Sequence, residues 1–198
     1  MRTNDTTPGM IVKIAEADAE LAAVHRINHR VYAEELGQDP TRADGRLVDR
    51  FHGDNTYIIA LVDDEVVGMM ALTMPGRRFS LEDAPIDRAL IDAKRASAAE
   101  MRRLAVLPEH RGSGCFLRIL DFCCGYLVRR GIRHAFISAI AERAPMYARL
   151  GFRQFDAPFR KGPCLYYPMV LSVESMAAAH LDPRLFPTVA DTLQAIGL

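Results

Sequence analysis

The sequence has no excess of charge of either sign and no long apolar run. Its 25 Lys and Arg residues are matched by 25 Asp and Glu residues, which disfavours a nucleic-acid partner because nucleic-acid-binding surfaces concentrate positive charge. No apolar stretch is long enough to cross a bilayer, and the opening segment MRTNDTTPGM lacks the apolar core of a signal peptide. We therefore expect a cytoplasmic protein with no stable membrane insertion.

The sequence also lacks the motifs of metal binding and covalent catalysis. Its cysteines show no C-x-x-C spacing, which indicates buried, reduced thiols rather than a zinc site or disulfides; they are Cys115, Cys123, Cys124 and Cys164. No pair among the six histidines has a metal-ligand spacing supported by cysteine or carboxylate, so we expect no metal. Because there is no Gly-x-Ser-x-Gly elbow, covalent catalysis is disfavoured.

Strand-like and helical segments alternate along the 198 residues, which are enough for one domain with a buried core. Apolar runs predict strands at 10–15, 57–62, 66–74, 103–107, 134–140, 152–155 and 165–173. Helical periodicity predicts helices at 18–36, 114–130 and 142–150 and allows a short helix at 86–94. Strands joined by both hairpins and helical connections predict a single α/β domain with a mixed sheet over residues 1–198.

Three segments stand outside this regular pattern. Residues 38–54 form a long polar loop, of a length that in a compact domain is usually functional or disordered. Residues 76–99 have too few large apolar side chains for a second core, so we interpret them as a flap over a groove. Residues 175–198 form a helical tail interrupted at Pro183 and Pro187, which could pack on the domain or mediate dimerisation.

The central stretch runs from Glu100 to Leu120 and joins a strand to a helix through a Gly-rich turn. A helix start of this kind leaves several backbone N–H groups unpaired, and Arg111 adds a positive charge beside them. Arg111, Ser113 and Gly114 are therefore candidates for binding a phosphorylated ligand. The alternative is an ordinary strand–loop–helix connection in which Arg111 is a solvated loop charge.

The segment VLPEHRGSGC at 106–115 resembles the acyl-CoA pyrophosphate loop of GNAT-fold N-acyltransferases. The resemblance implies a mixed, mostly antiparallel central sheet flanked by helices, and the predicted order of elements matches it. Phe116 departs from the family pattern, which has a small residue there, and its bulk disfavours tight docking of a CoA pyrophosphate. The resemblance also implies an acyl-donor site formed by strand and loop residues: Leu104, Val106, Arg111, Ser113 and Gly114.

Four further segments resemble acyl-homoserine lactone synthases and the related long-chain N-acyl amino acid synthases. They are HRVYAEELG at 29–37, Asp49-Arg50-Phe51, Val67-Gly68 and the pair Glu100-x-x-Arg103. The resemblance implies a GNAT-fold enzyme that takes its acyl group from acyl carrier protein. It also implies that three residues of these segments contact the substrate: Tyr32, Asp49 and Arg103.

The departures from the lactone synthases concern the substrate side. Asn28 stands where they carry arginine, and Gln38 where they carry tryptophan. Leu47 and His52 stand where they carry acidic residues that hold the sulfonium substrate S-adenosylmethionine, so that only Asp49 remains of that acidic cluster. A sulfonium site without its carboxylates binds a sulfonium poorly, and the resemblance therefore points to an amino-acid acceptor instead.

Glu100 is the candidate general base, because amide formation requires the acceptor ammonium to lose a proton before it attacks the thioester. The alternative is a structural ion pair of Glu100 with Arg103 or Arg102. Arg103 could bind an acceptor carboxylate through two parallel hydrogen bonds, since its planar guanidinium matches that geometry. Alternatively, Arg103 could only orient Glu100.

Tyr147 is the candidate acid on the leaving-group side. The segment YARLGF at 147–152 resembles the Y-x-x-L-G-F segment of GNAT enzymes, in which such a tyrosine can protonate the departing thiolate. The alternative is a tyrosine whose ring packs under the last strands.

These features predict an N-acyltransferase with no tightly bound cofactor. It would transfer a long-chain acyl group from the phosphopantetheine thioester of acyl carrier protein, or from acyl-CoA, to an amino acid such as tyrosine. The alternatives are an acetyl-CoA-dependent N-acetyltransferase of a small amine, a lactone synthase, and a non-catalytic acyl-thioester sensor. Basic side chains could steer an acidic carrier protein to the enzyme; they are Arg77, Arg78, Arg129, Arg130, Arg133, Arg153, Arg160 and Lys161.

Overall fold

The computed structural model describes residues 9–179 and 181–197, so most of the segment used for the signal-peptide argument and two residues of the tail lie outside the described residues. The strands are β1 (Ile11–Ile14), β2 (Asn55–Val62), β3 (Glu65–Thr73), β4 (Ala98–Val106), β5 (His134–Ile140), β6 (Arg153–Gln154), β7 (Phe159–Lys161) and β8 (Cys164–Ser172). The helices are α1 (Asp18–Asn28), α2 (Ala89–Lys94), α3 (Cys115–Arg129), α4 (Ala144–Arg149), α5 (Val173–Ala178) and α6 (Pro187–Ala195). A π-helical segment, His29–Glu35, follows α1 directly.

The strands form one eight-stranded sheet in the order β1-β2-β3-β4-β5-β8-β6, and β7 also pairs with β8. The β4–β5 pair is parallel, whereas β1–β2, β5–β8, β6–β8 and β7–β8 are antiparallel. The mixed, mostly antiparallel sheet flanked by helices confirms the predicted fold class.

The described chain divides into two compact units, and β4 and α3 each contribute residues to both. The first unit comprises residues 9–72 and Arg103–Cys123, and the second comprises Thr73–Arg102 and the described residues from 124 onward. The assignment of residues 1–198 to a single acyltransferase domain stays a prediction.

The core of the first unit forms where one face of α1 packs on β2 and β3. Val24 and Ile27 of α1 are buried against a cluster that includes Tyr57, Ile59 and Met69. These helix residues recur at the three- and four-residue spacing that places side chains on one face. Outside this core, β2 and β3 are joined by a two-residue turn whose residues both have positive φ, as a tight hairpin requires.

The core of the second unit includes side chains from the segment interpreted above as a flap. Phe79, Leu81 and Ile91 are each at most 1% exposed and cluster with Ala98 of β4 and Phe136 of β5. The segment therefore contributes apolar side chains to a core that it shares with the sheet. Its role as a flap over a groove stays a prediction.

The tail of the second unit packs on the C-terminal part of α3. A Cβ atom at Gly125 would lie 2.5 Å from Thr188 Cγ2, so glycine allows the close approach of α6. Arg129 Nη1 donates a hydrogen bond to Thr192 Oγ1 at 3.2 Å. The tail therefore packs on its own chain, which is one of the two arrangements expected from the sequence.

Candidate functional site

Arg103 occupies a backbone conformation that residues other than glycine rarely adopt. Its φ is +48°, although it lies within β4. The guanidinium carbon lies 4.9 Å from the ring centre of Tyr32, and Nη2 donates a hydrogen bond to Asp39 Oδ2 at 3.0 Å. Nε lies 3.9 Å from Asp49 Oδ1. The first unit thus brings together the three predicted substrate residues and adds a second carboxylate.

Asp49 is 3% exposed and is held by neighbours on both of its oxygen atoms. Asn55 Nδ2 donates to Oδ2 at 2.9 Å, and the Phe51 backbone N–H donates to Oδ1 at 3.3 Å. The same Asn55 nitrogen contacts the hydroxyl of Tyr57 at 3.1 Å, and that hydroxyl lies 3.2 Å from His52 Nδ1. His52 is therefore linked to Asp49 through Tyr57 and Asn55, in a chain of hydrogen bonds that fixes the orientation of the carboxylate.

Two buried side chains of the first unit carry polar atoms without a hydrogen-bond partner among the described residues. They are Nη1 of Arg103 and both amide atoms of Asn28, which is fully buried. A buried polar atom that stays unpaired costs about 1–3 kcal/mol, and such atoms are concentrated where a bound molecule can supply the partner. The Arg103 guanidinium therefore keeps one donor available beside two carboxylates.

The segment that carries Tyr32 is a π-helix, which the sequence pattern did not predict. The predicted helix at 18–36 has the correct extent, but its last seven residues follow the wider helix. His29 holds this segment, because Nε2 accepts a hydrogen bond from the Arg42 backbone N–H at 2.8 Å and Nδ1 contacts Glu34 Oε1 at 3.0 Å. Tyr32 donates its hydroxyl hydrogen to the Leu104 carbonyl at 3.2 Å, which ties the π-helical segment to β4. Short π-helical turns often occur at functional sites.

The predicted donor loop follows β4 in the first unit and ends at the start of α3. Arg111 Nε donates to the Val106 carbonyl at 3.0 Å, and Nη2 donates to Glu35 Oε2 at 2.6 Å. The hydroxyl of Ser113 donates to the His110 carbonyl at 2.7 Å. These contacts hold the loop folded at the point where the first turn of α3 leaves backbone N–H groups without helical partners.

The glycines of this loop take a conformation that side chains oppose. Gly112 has φ +84° and Gly114 has φ +83°, and a Cβ atom at either position would meet nothing within 4 Å. Glycine is therefore required here for the backbone turn rather than for space.

Glu100 lies in the second unit and is fully buried. Its carboxylate accepts hydrogen bonds from the Ser80 backbone N–H, from Ser80 Oγ at 2.7 Å and from the Leu81 backbone N–H at 3.0 Å. Arg102 Nε lies 3.6 Å from Oε2. Burial raises the pKa of Glu100, although the charge of Arg102 and the hydrogen bonds from Ser80 and Leu81 oppose that rise. The guanidinium beside Glu100 is thus that of Arg102, one of the two partners that the sequence left open.

The register of β4 with β5 ends at Glu100. Ala98, Ala99 and Glu100 pair with His134, Ala135 and Phe136, and β5 continues for four more residues along β8. Glu100 therefore occupies the last paired position of the parallel β4–β5 pair.

Tyr147 is on α4 of the second unit and is partly buried. Its ring packs edge-on against Phe152 at a centroid distance of 5.4 Å, and burial raises the pKa of Tyr147 to about 12. A phenol of this pKa is a weaker acid than an ordinary thiol, so full proton transfer from Tyr147 to a thiolate is uphill.

Sequence reasoning missed three residues of these clusters: Asp39, Glu35 and Ser80. Asp39 belongs to the long polar loop that the sequence singled out, but loop charges give no signal of which one meets Arg103. Asn28, which the sequence analysis noted only as a departure from the lactone synthases, is buried with both of its amide atoms unpaired. The catalytic and binding roles assigned from the sequence all stay predictions.

No group of three or more His, Cys, Asp or Glu side chains in residues 9–179 and 181–197 is placed to hold a metal ion. Within the same residues, every helix is too short or too polar to span a membrane.

Comparison with known proteins identifies relatives for most of the chain. The family model described as N-acyl amino acid synthase FeeM matches residues 23–173. No curated protein matches the chain.

Solved structures share the fold at low sequence identity. BjaI, a CoA-dependent acyl-homoserine lactone synthase solved with SAM and isopentyl-CoA, superposes with a TM-score of 0.73 at 17% identity, over 93% of this chain and 99% of that one. The acyl-homoserine lactone synthase LasI gives a TM-score of 0.68 at 20% identity, over 82% and 89%. FeeM, an N-acyl amino acid synthase from uncultured soil microbes, gives 0.66 at 18% identity, over 87% and 96%. These likenesses establish a GNAT-like acyltransferase fold.

Proposed function

The chain belongs to the FeeM family of N-acyl amino acid synthases, and we propose on that premise that it transfers a long-chain acyl group from acyl carrier protein to the amine of an amino acid. The family assignment makes the chain an N-acyltransferase. The carrier-protein donor and the amino-acid acceptor, with tyrosine as the leading candidate, are the proposed parts.

The observation that carries the proposed acceptor is the pairing of a guanidinium with two carboxylates. Arg103 keeps a buried donor at Nη1, while Asp39 and Asp49 contact the other nitrogen atoms of the same guanidinium. An α-amino acid carries a carboxylate and an ammonium group two bonds apart, and this cluster offers a partner for each. A simple amine would leave the Arg103 donor unpaired.

The proposed chemistry is a direct attack of the acceptor amine on the thioester carbonyl. The ammonium first loses a proton to Glu100 through a water molecule, since the carboxylate itself is buried beneath Ser80 and Leu81. The C–N bond then forms, and backbone N–H groups of the central strands stabilise the oxyanion. The C–S bond breaks to release the phosphopantetheine thiolate, and the amine nitrogen gives up its second proton, which passes through solvent to that thiolate. Tyr147 stabilises that thiolate with a hydrogen bond before the thiolate takes up a proton.

The proposed donor site is the loop around Arg111. Leu104 and Val106 of β4 would line the pantetheine arm, and Arg111, Ser113 and Gly114 would receive its phosphate. A second candidate donor is acetyl-CoA, which the intact sequence Arg111-Gly-Ser-Gly114 favours. The bulk of Phe116 favours the carrier protein instead.

The test of the proposed acceptor compares tyrosine with tyramine, which lacks the carboxylate. With long-chain acyl carrier protein as donor, we expect tyrosine to be acylated at least about 100-fold more efficiently, because tyramine would leave the buried Nη1 donor of Arg103 without a partner. Arg103→Gln should remove most of this preference by raising the KM for tyrosine. The exposed Arg46→Gln is the matched control and should leave the preference unchanged. Equal use of both amines by the native protein would refute an amino-acid acceptor.

A further inference from the structure

We propose that Glu35 makes the donor loop discriminate against CoA and in favour of a carrier-protein thioester. The inference rests on the proposed function, in which the loop around Arg111 receives the phosphate of the donor. It assigns a role in donor choice to a residue of the π-helical segment that lies outside the loop itself.

Glu35 already occupies the charged end of Arg111. Its Oε2 lies 2.6 Å from Arg111 Nη2, while Arg111 Nε is bound to the Val106 carbonyl at 3.0 Å. The two side chains are 28% and 47% exposed, so an incoming phosphate can reach the pair. Any phosphate that binds Arg111 must therefore do so beside a carboxylate or displace it.

A second ion pair neutralises the same loop. Arg30 Nη1 and Nη2 donate to the two carboxylate oxygens of Glu109, each at 3.0 Å. Across the loop, two arginines are thus matched by two glutamates, and His110 is the remaining titratable side chain between Pro108 and Gly114. Because Arg30 and Glu109 already satisfy each other, Glu35 is the carboxylate that sets the charge a phosphate meets at Arg111.

The two donors differ most in the charge that they bring to this loop. The phosphopantetheine arm of a carrier protein ends in one phosphodiester with a single negative charge. CoA carries a diphosphate with about two negative charges and a 3′-phosphate that adds about two more at neutral pH. Because Coulomb repulsion scales with the charge of the ligand, a carboxylate at Arg111 penalises CoA more than the phosphodiester. The phosphodiester of the carrier-protein arm has a single charge and is therefore repelled less by Glu35.

The experiment changes only the charge of Glu35 and measures CoA binding directly. Glu35→Gln keeps the shape of the side chain, and isothermal titration with free CoA needs no turnover. We expect the variant to bind CoA about fivefold more tightly, the effect of removing one exposed charge. The ratio of kcat/KM for acyl-CoA to that for acyl carrier protein, measured with one acyl chain, should rise by a similar factor. Both effects should shrink at high salt.

Two further variants show whether the effect belongs to the Arg111 pair. Glu109→Gln breaks the neighbouring ion pair on the same loop, and CoA affinity should stay within about twofold of the native value. In an Arg111→Gln background, Glu35→Gln should give no gain, as a double-mutant cycle would show. Thermal unfolding confirms that each variant is folded.

The inference is overturned if Glu35→Gln leaves CoA affinity unchanged or weakens it, since Glu35 would then be neutral or would orient Arg111 for phosphate. An equal gain in Glu109→Gln would also overturn it, because the effect would be one of general charge. A native protein that acylates no amino acid would refute the proposed function instead, and the CoA titration would still decide the role of Glu35.

Discussion

At the scale of single residues, the glutamate and the last arginine of the E-x-x-R segment, Glu100 and Arg103, have different surroundings. Arg103 is bound to carboxylates of the first unit, whereas Glu100 is bound to Ser80, Leu81 and Arg102 of the second. Their spacing in the sequence suggests a mutual ion pair, but Arg103 has a left-handed backbone conformation and each of the two residues has another partner. Glu100 and Arg103 can therefore be tested separately.

The pH dependence of the rate distinguishes a catalytic Glu100 from a structural one. A base must be ionised, so kcat/KM should fall as the pH drops through the raised pKa of Glu100. Ser80→Ala removes a hydrogen bond that stabilises the ionised form, and the acidic limb of the profile should move to higher pH. Ser97→Ala, a change at another partly buried serine of the second unit, should leave the limb in place.

The base assignment fails if the Ser80→Ala variant keeps the acidic limb of the native enzyme while its activity falls. Glu100→Gln alone is less informative, because the amide NH2 group would face backbone N–H donors. That clash should cost about 1–3 kcal/mol of unfolding free energy whether or not Glu100 is the base.

At the scale of elements, periodicity and turn residues predicted most of the fold. The prediction for β5 is correct at both ends, since an apolar run bounded by turns has one interpretation. β4 begins at Ala98, earlier than predicted, because the polar residues Glu100 and Arg102 interrupt its apolar pattern. The short β7 was missed, since three residues carry too little periodicity.

The candidate site was less predictable than the fold, because its contacts join distant parts of the chain. The resemblance to N-acyl amino acid synthases pointed to Tyr32, Asp49 and Arg103, which the structure brings into one cluster. It could not find Asp39 or Glu35, whose partners are set by the folding of a loop and by the π-helical turn. Long-range side-chain pairs of this kind leave no periodic trace in the sequence.

The packing of α3 on β3 depends on a glycine. A Cβ atom at Gly68 would lie 2.9 Å from both Cys115 Sγ and Ile119 Cδ1 and 3.3 Å from the Ala105 carbonyl oxygen. Gly68→Ala should therefore lower the free energy of unfolding by about 1–3 kcal/mol, the usual cost of overpacking. Denaturant unfolding measures the change, and Gly53→Ala is the control because a Cβ atom there meets nothing within 4 Å. Equal stability of the two variants would contradict the close approach.

At the scale of the whole molecule, the fold alone does not determine the reaction. Acyl-homoserine lactone synthases and an N-acyl amino acid synthase superpose on the chain at similar TM-scores. The assignment of this chain to the N-acyl amino acid synthases rests on the family match over residues 23–173.

The most direct measurement of the proposed function is the mass of the product formed from two donors. The purified protein is offered long-chain acyl carrier protein or acetyl-CoA, each with the same pool of amino acids, and thiol release is followed alongside mass spectrometry. The proposed function predicts thiol release from the long-chain donor and the mass of an N-acyl amino acid. Turnover with acetyl-CoA alone, or thiol release without an acylated amino acid, would contradict it.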